Sequence, residues 1–187
     1  MRWPSWPDGI DWLALALAAA LCGAPPGLAA QPRAVVKAPA QPPALLLPVQ
    51  GITANQLRDT FADSRGGKSG GHEAIDITAP RGTPVLAVDD GRITKLFLSK
   101  LGGITIYQFD STGQFAYYYA HLDRYAAGLA EGQNVRRGSV IGYVGFTGNT
   151  TPESPHLHFA IFRLGPEKQW WKGEPINPFP YLGGRTP

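Results

Sequence analysis

One cysteine, Cys22, occurs among the 187 residues, so no intrachain disulfide is possible and cysteine usage does not report the redox compartment. Charge of one sign is scarce as well. Seventeen basic residues stand against 14 acidic ones, and the net charge of +3 is too small and too scattered for a nucleic-acid arm, though compatible with an anionic polymeric environment. Helical periodicity is nearly absent beyond residue 49, where short apolar runs alternate with glycine, which points to β-structure. The apolar run at 12–21 (WLALALAAAL) is about half the roughly 20 residues a membrane-crossing helix needs.

That run reads as the core of a secretory leader. Gly27-Leu28-Ala29 offers small residues at the two positions a signal peptidase reads, so cleavage is expected near Ala29 or Ala30. An uncleaved membrane anchor is the alternative, because Asp8, Asp11 and Pro25-Pro26 are unusual in a leader. Proline and alanine dominate residues 31–48, which predicts an extended linker. A domain over 49–187 follows, long enough to bury a core without covalent help.

Within it, alternation predicts strands at 83–88 and 92–96 joined at Asp89-Asp90-Gly91, and at 104–109 and 115–122 joined at Asp110-Ser111-Thr112-Gly113, as two hairpins. Further strands are expected at 140–144 and 156–162, with a short helix at 55–61. Gly82-Thr83-Pro84-Val85 is echoed weakly by Gly132-Gln133-Asn134-Val135, which suggests two similar turns.

All four histidines fall into motifs: His72, His121, His156 and His158. His72-Glu73-Ala74-Ile75-Asp76 has glycines before it and isoleucines alternating with Asp76 and Thr78, so it reads as an extended segment rather than a helix. His72 and Asp76 then share a face while Ile75 and Ile77 turn to the core. His156-Leu157-His158 on a strand sends both imidazoles to one side. Such a cluster suits zinc: two neutral imidazoles and one carboxylate leave a free fourth position, where coordination lowers the pKa of water from about 15.7 to roughly 7. The two remaining histidines would handle protons or an oxyanion. Spacing alone does not say which histidines bind and which catalyse.

These motifs resemble those of the lysostaphin-like, LytM-type M23 peptidoglycan endopeptidases. The similarity runs from about Phe61 to Pro178 and includes Tyr119-Ala120-His121-Leu122, Gly145-Phe146-Thr147-Gly148-Asn149, His156-Leu157-His158-Phe159 and Ile176-Asn177-Pro178. It implies one zinc ion on His72, Asp76 and His158, catalysis by His121 and His156, and an antiparallel, duplicated-hairpin β-sheet groove with few short helices. It also implies hydrolysis of peptide bonds in peptidoglycan, either cross-links or stem peptides, by an exported protein of the periplasm or cell envelope. Peptidoglycan is the expected partner, nucleic acid is not, and a monomer is expected, with a regulatory partner protein left open.

Two departures from the family pattern stand out: Ala74 replaces a glycine, and the 149–155 loop is slightly long. Residues 163–171 look inserted, and Trp170 and Trp171 there would either wall the groove or pack over a sheet edge. The competing class is an inactive LytM-type activator of another wall hydrolase, which would typically lack a ligand; all five polar site residues are present. A lipoyl-type carrier would need an exposed lysine at a hairpin tip, and none is found. A closed structural zinc site would favour cysteines, and the domain has none.

Overall fold

The computed structural model describes residues 40–64 and 71–183, within the unit Pro39–Pro187. The expected leader at 1–30 and residues 31–39 of the expected linker lie outside the described residues. Nine strands form: β1 (Ile75–Thr78), β2 (Pro84–Leu86), β3 (Gly91–Ser99), β4 (Gly103–Asp110), β5 (Phe115–Tyr125), β6 (Asn134–Val135), β7 (Val140–Val144), β8 (His156–Leu164) and β9 (Gly173–Ile176). Every strand pairing is antiparallel, and the helical content of the described residues is two 3₁₀ turns, Ala54–Gln56 and Phe179–Tyr181. The mainly β expectation therefore holds. The helix expected at 55–61 shrinks to the first of these turns, closed when Thr53 N–H donates to Gln56 Oε1 at 2.8 Å; Leu57 is already extended.

The main path through the sheet is β1-β8-β5-β4-β3-β6, with β9 also on β8 and β2 joined through β7 to β5. The β4–β5 hairpin forms where its turn residues predict it. Asp110 organises that turn: its carboxylate accepts from Thr112 N at 3.0 Å and Phe115 N at 2.8 Å, while Gly113 takes φ +65°. The hairpin expected over 83–96 does not form, because β2 pairs with β7 and β3 with β4 and β6. Ala87 and Val88, between them, are both fully buried and break the alternation. Their backbones bond elsewhere, Ala87 N to Ser139 O at 2.9 Å and Val88 O to Leu46 N at 3.0 Å, so this stretch crosses over instead of turning back. The echoed glycines do mark similar turns. Gly82 and Gly132 both have φ +85°, each inside a four-residue turn closed by a backbone bond, Pro80 to Thr83 and Ala130 to Gln133.

Inward-facing residues of β1, β5 and β8 supply much of the core, with Ile75, Tyr117, Tyr119, Leu157, Phe159 and Ile161 fully buried, joined by Val85, Ile93, Ile106 and Ile141 from β2, β3, β4 and β7. Tyr119 is deep inside without an orphaned hydroxyl: it donates to Gln108 Oε1 at 2.8 Å and accepts from Val88 N–H at 3.1 Å. Residues 40–48 correct the linker expectation. They lie along the domain, with Leu45 fully buried in the core and paired by backbone to Tyr181 and Gly183. Proline-rich backbone is extended whether free or docked, so composition could not distinguish a strap from a linker.

Candidate active site

Three of the expected site residues meet at one point. His72 Nε2 is 3.0 Å from His158 Nδ1 and 3.1 Å from Asp76 Oδ1, and His158 Nδ1 is 3.1 Å from the same oxygen. His158 and Asp76 face each other across the β1–β8 ladder as register partners. His72 arrives differently from the parity expectation, since β1 begins only at Ile75 and Glu73 sits at φ 55° between His72 and Asp76. The loop is anchored instead by His72 N to Asp63 O and Glu73 N to Phe61 O, both 2.9 Å.

The protonation pattern follows from the partners. His72 Nδ1 is 3.0 Å from Thr60 O, a group that only accepts, so Nδ1 carries a hydrogen and Nε2 is the nitrogen turned toward Asp76 and His158. Burial opposes ionisation of Asp76, but hydrogen bonds and charge from His158 and His72 outweigh it and hold the carboxyl well below the usual range. Three donor atoms thus crowd together at contact distance, an arrangement that a cation relieves. Their 3.0–3.1 Å separations approach the edge of about 3.3 Å of a tetrahedron with zinc-to-nitrogen bonds of about 2.0–2.1 Å. The donor set fits such an ion.

His121 and His156 stand beside this triangle, with their ring centroids 4.9 Å apart and His121 5.6 Å from the His158 ring. Each is fixed by the same device. His121 Nδ1 lies 2.8 Å from Thr147 O and His156 Nδ1 2.8 Å from Ser154 O, so both donate there and leave Nε2 for other contacts. His156 Nε2 is buried and has no hydrogen-bond partner among the described residues, 3.8 Å from Asp76 Oδ1. Burial lowers His121 from 6.5 to about 4, with the neighbouring histidines adding to the effect against the Thr147 bond, so it is neutral at pH 7.

The position of His121 has a local cause. On β5, Ala120 and His121 together oppose the single residue Thr105 of β4, between the pairs Ile106↔Tyr119 and Ile104↔Leu122. His121 occupies this bulge at φ 59°, a left-handed conformation that costs on the order of 1 kcal/mol or more for a side chain of this size. There β5 changes partner, from β8 through Ala120↔His158 to β7 through Leu122↔Val144. Thr147 fills the disrupted ladder: its hydroxyl accepts from Ile104 N at 2.9 Å and donates to Leu122 O at 2.7 Å. Residue pattern identified the histidines but not Thr60, Thr147 and Ser154, which act through backbone carbonyls that any residue type carries.

Residues 70–178 match Peptidase family M23. The chain belongs to that family. The M23 chain is similar to the L-Ala--D-Glu endopeptidase of Bacillus subtilis (strain 168), 33% identical over 142 residues, which are 73% of this chain and 41% of that protein. It is also similar to the DD-carboxypeptidase/endopeptidase Mpg of Neisseria meningitidis serogroup B (strain ATCC BAA-335 / MC58), 42% identical over 108 residues, 57% of this chain and 22% of that one. It therefore spans less than half the length of these curated relatives. Among solved structures, the catalytic domain of lysostaphin from Staphylococcus simulans superposes with a TM-score of 0.57 at 29% identity, covering 68% of this chain and 93% of that one.

Away from the triangle the M23 groove is lined by rings. Tyr118 meets the His158 ring edge-on at 5.9 Å, Tyr107 lies 4.6 Å from Tyr118, and Trp170 4.8 Å from Tyr107. Trp170 therefore ends this row of rings and also packs on Phe97 at 5.4 Å. A separate open cleft of about 820 Å³, near Arg92, Thr112 and Arg136, contains none of the four histidines.

Proposed function

We propose that this M23 domain is a zinc-dependent endopeptidase hydrolysing peptide bonds of peptidoglycan, in cross-links or stem peptides. The observation that carries the reading is the three-donor triangle flanked by two imidazoles whose Nδ1–H groups are committed to carbonyls. Zinc held by His72, Asp76 and His158 would supply Lewis acidity toward a carbonyl and toward water. The chain's own contribution is positioning and proton traffic. With Nδ1 of His121 and His156 held by carbonyls and their rings 4.9 Å apart, one Nε2 takes the proton that water loses as it attacks the peptide carbonyl and returns it to the leaving amine. The other, having taken up a proton from solvent, donates it as a hydrogen bond to the tetrahedral oxyanion. In this reading residues 1–30 are an export leader cleaved near Ala29 or Ala30, and the enzyme works in the periplasm or cell envelope on peptidoglycan.

The test is mass spectrometry of muropeptides released from purified sacculi, with and without a chelator. Release of peptide-cleaved fragments that stops on chelation and returns with zinc is expected, and the fragment masses identify the bond. Intact sacculi after incubation with zinc-loaded protein would rule the enzyme out.

A further inference from the structure

On the groove face of β8, His158 and Phe162 are of equal parity and four residues apart, which places them about 13 Å from one another along the strand. Rings bridge the interval from His158 through Tyr118 and Tyr107 to Trp170. At the far end, the loop at 165–172 brings Trp170 and Trp171 against Tyr107 and Phe162 around a cavity of about 230 Å³, with Lys172 in its lining. Trp171 keeps 62% of its surface in solvent while its ring packs on Trp170 at the cavity, so it is open to a ligand there.

We propose that this aromatic cavity is a subsite for one sugar ring of the glycan strand that carries the peptide, an inference that rests on the peptidase reading and names part of its substrate. The cavity is smaller than the roughly 300–1,000 Å³ of drug-sized ligand pockets, so it suits a single ring rather than a chain. Its walls are aromatic, and its one charged lining residue is Lys172. Such walls match a pyranose, which offers an apolar face of C–H groups for ring contact and hydroxyl or amide groups at its rim for Lys172 and water. The length agrees too. Extended peptide advances about 3.3–3.6 Å per residue, so about four residues span the interval between cavity and triangle. Because stem peptides hang from the sugar, a ring in the cavity sets a bond about four residues down the stem at the triangle. That selects bonds in the cross-link region over the root of the stem.

The experiment compares two substrates for the purified full chain: cross-linked muropeptides with their disaccharides, and the same peptides after an amidase has removed the sugars. The intact chain should show a kcat/KM roughly three- to tenfold higher on the sugar-bearing form, the range one aromatic contact provides. In W171A that ratio should fall to about one. Equal rates on both substrates in the intact chain, or a W171A variant that slows both alike and preserves the ratio, would overturn the sugar subsite and leave an apolar peptide side chain as the occupant. Tryptophan fluorescence titration with a peptide-free glycan oligosaccharide gives an answer independent of turnover. Saturable quenching weakened in W171A supports the subsite, and no quenching in the intact chain removes it. If neither muropeptide is cut, it is the peptidase reading that falls, and the titration still decides the subsite.

Discussion

The two ends of the groove are held in opposite ways. At the triangle, His72, His121 and His156 each commit one nitrogen to a backbone carbonyl, and a strained bulge fixes the direction of His121. At the aromatic end, Trp170 and Trp171 touch mainly other rings, and Trp171 is largely in solvent. Chemistry that depends on sub-ångström placement is thus built on hydrogen-bonded backbone, where the geometry has little freedom. Recognition is built from side chains on a loop, where ring contacts permit adjustment at small cost.

Substitutions can break this contrast, and the largest effects belong at the triangle. H72A or D76A should abolish both bound zinc, measured by elemental analysis, and hydrolysis of sacculi. H121A and H156A should keep the metal yet lower kcat by about 10²–10⁴-fold; full hydrolysis by H156A would remove its catalytic role. Thr147 tests whether backbone support matters as much as the imidazole it holds. T147V should lower kcat by about 10–100-fold with little change in KM. It should also cost roughly 1–3 kcal/mol in denaturant unfolding, because Ile104 N and Leu122 O lose their partner, and T147S should restore most of both. The smallest effect is expected at the other end. W170A should retain zinc and change KM by less than about tenfold, and a loss of metal from it would show that the two ends are not separable.

Side-chain chemistry and turn residues made much of this legible beforehand. Asp110 and Gly113 announce the β4–β5 turn, and the His156-Leu157-His158 alternation announces a strand with both imidazoles on one side. The pairing of β2 with β7 was not legible, because Asp89-Asp90-Gly91 resembles a hairpin turn locally while the burial of Ala87 and Val88 is decided by distant strands. Docking of residues 40–48 was hidden for a similar reason: Leu45 finds its place only once Tyr181 and Leu182 are in position. Nor could alternation have placed His121, since strict period two assigns it to the buried side with Tyr119.

That last point makes the site depend on a count of residues as well as on their identity. Between Tyr119 and Leu122 the fifth strand carries one residue more than the fourth strand opposite it. Deleting Ala120 would leave every imidazole and the carboxylate in the chain, yet restore an even ladder and carry His121 out of its present orientation. A family survey for lost activity should therefore examine single-residue indels in this strand alongside substitutions at the histidines. Chains with an intact set of motifs and a shortened strand are where inactivity would be easiest to overlook.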